Sequence, residues 1–481
     1  LESERYAKPS GTSSPCVYVA AASPISTIGA YSVGLVAQSV AGGGGISATT
    51  ITGGSAGASL ALKNSFIGGQ TYTNPQNVLS QTGSSGNGLP VVVNQTGIIN
   101  TSGPAATGIV AQSIGGGGGY AGLVSQTSAT ATNGSGMAIG GSSLSSGNGG
   151  AVNVTVNAPI TTSGASSIGV IAQSGGGGGG TLVTAGVSGI TPTLSGASGS
   201  GGDVTVNVNS SITATGKGSM AVIAQSVGGG GGLYVNENGY TAKSGGGSGT
   251  AGAVTVNVNG AILTNSGTGI YAGAAKGAND PSITVGKSGS VVASNGGVGI
   301  IVDGLVNNIT NHGVIGATNF STDTAIQVLG TGGNTQVTNN GTLSGPINKM
   351  AGNLSVSNTQ SGRLYLNDAP NWGVGSGLVS AGYLQFNQQS FNTVGTVVHG
   401  AQSNFKITET GVLGVKYDHH AAATKTDNSQ VADLLQVAQG NTLDIQGKVH
   451  PVLLNAGLIA PGSAGPNTFL SNGGTVNNEK L

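Results

Sequence analysis

Gly108-Ile109-Val110-Ala111-Gln112-Ser113-Ile114 runs directly into five glycines, Gly115 to Gly119, and the same string returns further along the chain. It reads Gly169-Val170-Ile171-Ala172-Gln173-Ser174 with six glycines at 175–180, then Ala221-Val222-Ile223-Ala224-Gln225-Ser226-Val227 with five at 228–232. An earlier copy, Gly34 to Gly45, carries Ala41 inside its glycine run. The glutamines Gln38, Gln112, Gln173 and Gln225 stand 74, 61 and 52 residues apart. Degenerate copies follow at Gly269-Ile270-Tyr271-Ala272, with Gly273 in the glutamine place, and at Gly299-Ile300-Ile301-Val302, with Asp303 there. A cassette that recurs in this way marks a repeat architecture, in which no unit buries its apolar face alone and neighbours must stack.

Working outward, each cassette is preceded by an alternating segment: Val152-Asn153-Val154-Thr155-Val156, Val204-Thr205-Val206-Asn207-Val208 and Val254-Thr255-Val256-Asn257-Val258. β-Branched residues at every second position form a strand with one buried face, so these valines are expected to point inward. A short Ile-Thr unit ending in glycine lies between, as in Ile160-Thr161-Thr162-Ser163-Gly164. No segment carries the 3.6-residue period of an amphipathic helix. The expected fold is therefore all-β, a parallel β-solenoid with coils of about 22 to 28 residues stacked about 4.8 Å apart.

The style changes along the chain. An N-terminal segment, 1–24, leads into the glycine-run region, 25–280; shorter coils occupy 281–390, with corners such as Asn311-His312-Gly313 and Asn339-Asn340-Gly341, and terminal coils occupy 391–481. Asn and Gly accept left-handed backbone angles at little cost, which suits such corners. The second half carries Trp372, Tyr383, Phe386, Phe391, Phe405 and Tyr417 and is expected to pack better. The glycine runs are expected to protrude as loops, because long glycine stretches are costly to order, about 0.5 to 1 kcal/mol each relative to alanine.

Composition narrows the function. Of 481 residues 93 are glycine, 6% are charged and 4% are aromatic, and between Lys8 and Asp203 the only charged side chain is Lys63. Chains that stay unfolded usually do so through charge, which is nearly missing here, while the bulky apolar groups of a globular core are also scarce. Stability must come from many small increments repeated along a stack. Fourteen acidic residues balance fourteen basic ones, so the footprint of a nucleic-acid binder is lacking and no nucleic-acid partner is expected. One cysteine, Cys16, excludes an internal disulfide framework. No apolar run of spanning length appears, and neither a signal peptide nor a membrane barrel is seen, so the chain reads as an excerpt of a longer precursor.

Motifs that resemble chemistry lack the context that chemistry needs. Gly53-Gly54-Ser55-Ala56-Gly57 matches a nucleophile elbow but lacks the strand-turn-helix surroundings, and no histidine precedes His312. Gly286-Lys287-Ser288 ends like a phosphate-binding loop, yet Pro281 stands where its first glycine belongs. Gly175 to Gly180 contains a dinucleotide-type glycine spacing without a following helix. Tyr417-Asp418-His419-His420 gathers ligand types, but neighbours on a strand face opposite ways. The glycine runs contain no acid for calcium. No catalytic, cofactor-binding or metal-binding residue is expected, and no cofactor. Two rival readings remain. A polysaccharide-acting β-helix enzyme would need converging acids, for which Asp303, Asp323 and Asp368 are the candidates on consecutive coils; an ice-binding face would need threonines on adjacent coils, whereas Thr155, Thr205 and Thr255 are spaced for two or more coils.

The tandem Gly-Ile-Val-Ala-Gln-Ser-Ile-polyglycine string resembles the repeats of autotransporter passenger proteins of Gram-negative bacteria. The tail, Ile407-Thr408-Glu409-Thr410-Gly411-Val412-Leu413-Gly414-Val415 followed by Ala432-Asp433-Leu434-Leu435-Gln436-Val437 and Thr442-Leu443-Asp444-Ile445-Gln446-Gly447-Lys448-Val449, is similar to the last coils before the barrel in such proteins. The resemblance implies a right-handed parallel β-helix forming one elongated domain. It also implies export to the cell surface or outer membrane, or secretion, and a non-enzymatic role in adhesion or biofilm. Its implied partners are a glycan or protein ligand on a host or neighbouring cell and the precursor's own C-terminal outer-membrane barrel. A structural spacer is the bland version of the same reading.

Overall fold

Alternating valines build the interior, as the periodicity requires. The computed structural model describes residues 16–478 apart from 52–57, 62–64, 68–84, 133–136, 141–144, 191–192, 196–197, 245–246, 276–280, 320, 330–332, 367–375, 388–395, 400–402, 408–411, 419–433, 439–441, 446–447, 455–467 and 473–474. Every regular element among the described residues is a strand. The chain forms two compact units, Leu1–Pro281 and Ser282–Leu481. Both are built as parallel β-helices.

In the first unit the alternating segments Val17–Ala21, Val91–Gln95, Val152–Val156, Val204–Val208 and Val254–Val258 pair in parallel as one sheet. The register is residue on residue, so Val91, Val152, Val204 and Val254 form one row, and Val93, Val154, Val206 and Val256 another. All eight are buried. The Ile-Thr units form a second sheet in which Ile99, Ile160, Ile212 and Ile262 align, and the cassettes form a third, Val33–Val40 to Thr268–Ala275. Each buried Val or Ile contributes about 1.5 to 3 kcal/mol, so the interior grows by equal steps as coils are added.

The glycine runs correct the expectation of protruding loops. The runs at 115–119, 175–180 and 228–232 are buried, the first run, 42–45, is partly exposed at the edge, and all four turn the chain into a fourth parallel sheet: Gly44–Ile51, Gly118–Thr132, Gly179–Ser188 and Gly231–Asn236. Their backbone groups bond from coil to coil, Gly117 N to Ala41 O at 2.7 Å, Gly178 N to Gly115 O at 2.7 Å and Gly230 N to Gly176 O at 2.7 Å. A Cβ on Gly118, where φ is +138°, would fall on the carbonyl oxygen of Gly179. Close backbone approach offsets the entropic cost that the sequence alone assigns to these runs. The antiparallel strand Gly239–Ser244 closes this sheet against Gly231–Asn236.

This fourth sheet also corrects the coil length. A whole 50- to 74-residue interval makes a single coil, because Thr205 pairs directly with Thr255, and Gln38 with Gln112. Thr155, by contrast, pairs with Asn207. The extra residues form the return sheet and a small three-stranded one, Ser65–Ile67, Met137–Gly140 and Thr193–Ser195. The third sheet is therefore buried on both faces: every residue of Thr107–Ile114, Ile168–Gly175 and Met220–Val227 is buried.

In the second unit the coils are shorter, as expected. Asn311, Asn339, Asn358 and Ser380 occupy one corner at intervals of 28, 19 and 22 residues. Its first sheet runs from Pro281–Val285 to Thr475–Asn478 and its second from Ser290–Ser294 to Lys448–Leu454, all parallel. Trp372 and Phe391, and the side chains of Tyr383, Phe386, Phe405 and Tyr417, lie outside the described residues.

Candidate functional site

Repetition places like above like, so the polar side chains of successive coils meet and bond to one another. Gln38 donates to Gln112 at 2.8 Å, Gln112 to Gln173 at 2.7 Å and Gln173 to Gln225 at 2.7 Å. Gln173 Nε2 also reaches Gly180 O at 3.1 Å, and Thr181 donates to Gln173 Oε1 at 3.2 Å. Alternation turns the next residue to the other face. Ser113, Ser174 and Ser226 donate to Leu89 O, Gly150 O and Gly202 O at 2.8 to 2.9 Å, and accept from the amides of Gly150, Gly202 and Gly252 at 2.8 Å. The glutamine row ends where Gly273 succeeds Gln225; a Cβ at Gly273 would meet the Tyr271 hydroxyl at 2.5 Å, so the phenol occupies the vacated space. The Gln-Ser pair of the cassette is thus a structural device, joining the third sheet to the return sheet on one face and to the entry of the first sheet on the other.

The second unit has an asparagine row of the same kind. Asn311 donates to Asn339 and Asn339 to Asn358, both at 2.8 Å; Asn358 donates to Ser380 at 2.9 Å, and Ser380 to Gly382 O at 3.1 Å. These amides are buried and satisfied within the fold.

The acids proposed for a polysaccharide-acting site do not converge among the described residues. Asp323 is buried and accepts hydrogen bonds from Gly296 N at 2.6 Å, Asn319 N at 2.8 Å, and the Thr318 and Thr322 hydroxyls at 2.9 Å. Burial alone would raise its pKa, but these four donors together outweigh it and hold the carboxyl below its usual value. A carboxylate so enclosed ties Thr318, Asn319 and Thr322 to the Asn295-Gly296 corner and has little room for a substrate. Asp303 ends the strand Val298–Asp303, and Asp368 lies outside the described residues.

The remaining motifs resolve into backbone geometry. Gly286-Lys287-Ser288 forms a tight turn, with Gly289 N bonded to Gly286 O at 2.8 Å. Gly175 to Gly180 passes from one strand to the next with no helix after it. Gly53 to Gly57 and the pair His419-His420 lie outside the described residues. Among the described residues no three His, Cys, Asp or Glu side chains gather as a metal site, and no helix is long and apolar enough to cross a membrane. Cys16 is exposed.

What remains for function is the outward face of the stacked sheets, where side chains form straight columns. In the first unit these columns include Val92, Asn153, Thr205 and Thr255, and Asn94, Thr155, Asn207 and Asn257. The alternation read from the sequence turns Asn153, Thr155, Thr205, Asn207, Thr255 and Asn257 outward but does not show their alignment, because the return sheet hides the true coil length. No family model, no curated protein and no solved structure matches the chain.

Proposed function

We propose that this chain is a non-enzymatic surface module, a passenger segment of the autotransporter kind, whose work is adhesion or biofilm formation. One observation carries the reading: equivalent outward positions recur coil after coil in register, while the buried polar groups serve to hold the coils together. Such a body offers many similar weak contacts, which become strong together by multivalency. The composition suits the same role, since a chain with few bulky groups and one cysteine can cross an outer membrane unfolded and fold afterwards by stacking. The precursor's own barrel would be the export partner, and the cell surface the location.

Beads coated with the full chain test this against the enzyme reading. Attachment to cells, or aggregation of coated beads, is expected above the level of uncoated beads, with no product released from acidic polysaccharide plus calcium. Unsaturated sugar products, or attachment no greater than the uncoated control, would overturn it.

A further inference from the structure

Outward columns differ in how their hydrogen-bonding groups are used, and bonding within a column occurs in both units, Asn353 donating to Asn334 at 3.2 Å in the second. In the first unit Asn157 donates to Asn94, Asn209 to Asn157 and Asn259 to Asn209 at 2.8 to 3.1 Å, and Asn257 donates to Asn207 at 2.9 Å. Those amides are largely spent on one another. In the second unit the register stacks Ser282, Asn308, Gln336 and Ser355 in one column and Thr284, Thr310, Thr338 and Ser357 in the next. Asn308, Gln336, Ser355 and Ser357 are exposed and the other four half-buried. None of the eight bonds to a neighbouring side chain in the column, although the inward Asn307, Asn311, Asn339 and Asn358 all do so.

Eight hydroxyl or amide side chains thus stand in two columns on one sheet. Neighbours within a column are about 4.8 Å apart, and the columns are about 7 Å apart at two residues' rise. None of the eight is ionisable, and each keeps donor or acceptor capacity for a ligand. A phosphate, sulfate or carboxylate polymer would lose its hydration here without gaining a cation, whereas an uncharged polyhydroxylated chain can exchange water for hydroxyl and amide partners one for one. We infer that this face of the second unit binds neutral polysaccharide, laid along the columns and held by repeated weak hydrogen bonds. The inference rests on the adhesion reading above and gives it a ligand class.

The test uses the full chain and its Thr284→Val/Thr310→Val/Thr338→Val variant, with Thr205→Val/Thr255→Val in the first unit as the control. Valine keeps the β-branched shape and removes only the hydroxyls. Retardation in gels containing dextran, mannan or xylan, compared with gels containing alginate or heparin, reads the binding, and circular dichroism melting reads the fold. The wild type and control should be retarded by at least one neutral polymer and not by the acidic ones. The triple variant should bind at least about tenfold more weakly at an unchanged melting temperature. If the triple variant melts early, Gln336→Ala, an exposed side chain, replaces it and should weaken binding severalfold. Retardation by the acidic polymers only, or equal binding by the variants, overturns the inference while leaving adhesion standing if coated beads still attach. Inhibition of ice recrystallisation without polymer binding would show a water-ordering face and overturn it equally. Loss of bead attachment altogether would remove the adhesion reading beneath it.

Discussion

Ser166 holds a left-handed backbone angle, φ 54°, at the corner that leads into the third sheet, and its buried hydroxyl has no hydrogen-bond partner. The same corner carries Tyr31 at φ 58°, Ala105 at φ 54° and Gly218 at φ 67°, joined coil to coil by Ala105 N to Ala165 O at 2.7 Å and Ser166 N to Lys217 O at 2.9 Å. Ser266 follows Gly218 in register at φ 59°, so of these five copies only Gly218 has the residue that suits the angle. A left-handed conformation costs an L-residue about 1 to 2 kcal/mol, and an unpaired buried hydroxyl adds to that. Glycine recovers both but loses more entropy on folding. Ser166→Gly is therefore expected to raise stability by about 1 kcal/mol, seen as a higher urea midpoint; a lower midpoint would show that the corner angle is unstrained. Asp323 supplies a second test at this scale. Its native pKa is lowered, so its contribution is complete above the ordinary aspartate value of 3.8 and is lost as pH falls through the lower native value. Asp323→Asn should cost about 2 kcal/mol at neutral pH. The gap between variant and wild type should close below pH 3.8 in acid titrations of stability. A constant gap would mean that the charge plays no part.

At the scale of the element, the glutamine row makes position within the stack matter more than residue type. Removing Gln173 leaves Gln225 Oε1 and Thr181 Oγ1 each short of a partner and Gln112 Nε2 with only Gly119 O at 3.4 Å, whereas removing Gln225 takes one partner from Gln173, which still has Gly180 O at 3.1 Å. Gln173→Leu should cost about 2 to 4 kcal/mol and Gln225→Leu clearly less. Equal losses in denaturant melts would mean that the amides act as separate groups and not as a row. This row also shows how far the fold was legible. Val152-Asn153-Val154-Thr155-Val156 declares a one-sided strand in its own spelling, and the recurrence of Ala-Gln-Ser declares a stack. The coil length was hidden, because Gly179–Ser188 has no strand alternation of its own and acquires its pairing only from Gly118–Thr132 and Gly231–Asn236. The order of the glycine runs was hidden for the same reason: their partners are other glycine runs, one whole coil away in the chain. The neutral columns of the second unit could be read as outward-facing, but Thr310 beneath Thr338 is a fact of register, set by corners 28 and 19 residues apart that no local pattern counts.

For the molecule as a whole, the decisive feature is how little of its stability depends on charge. Fourteen acidic and fourteen basic residues are spread over 481 positions, and the interactions that repeat from coil to coil are backbone ladders, stacked Val and Ile, and amide or hydroxyl rows. Exposed ion pairs contribute at most about 1 kcal/mol each, and 1 M salt shortens the screening length to about 3 Å. A fold held mainly by neutral rows should therefore keep its melting temperature within about 2 °C between roughly 0.05 and 1 M sodium chloride. Sulfate, which strengthens apolar burial, should raise it. The same argument extends to the proposed adhesion through the uncharged outer columns. Bead attachment should survive about 0.5 M sodium chloride almost undiminished, whereas contacts steered by charge would weaken over that range. A melt or an attachment that collapses with added chloride would mean that the few charged residues, among them Asp323 in its cage of four donors, govern the fold or its surface out of proportion to their number.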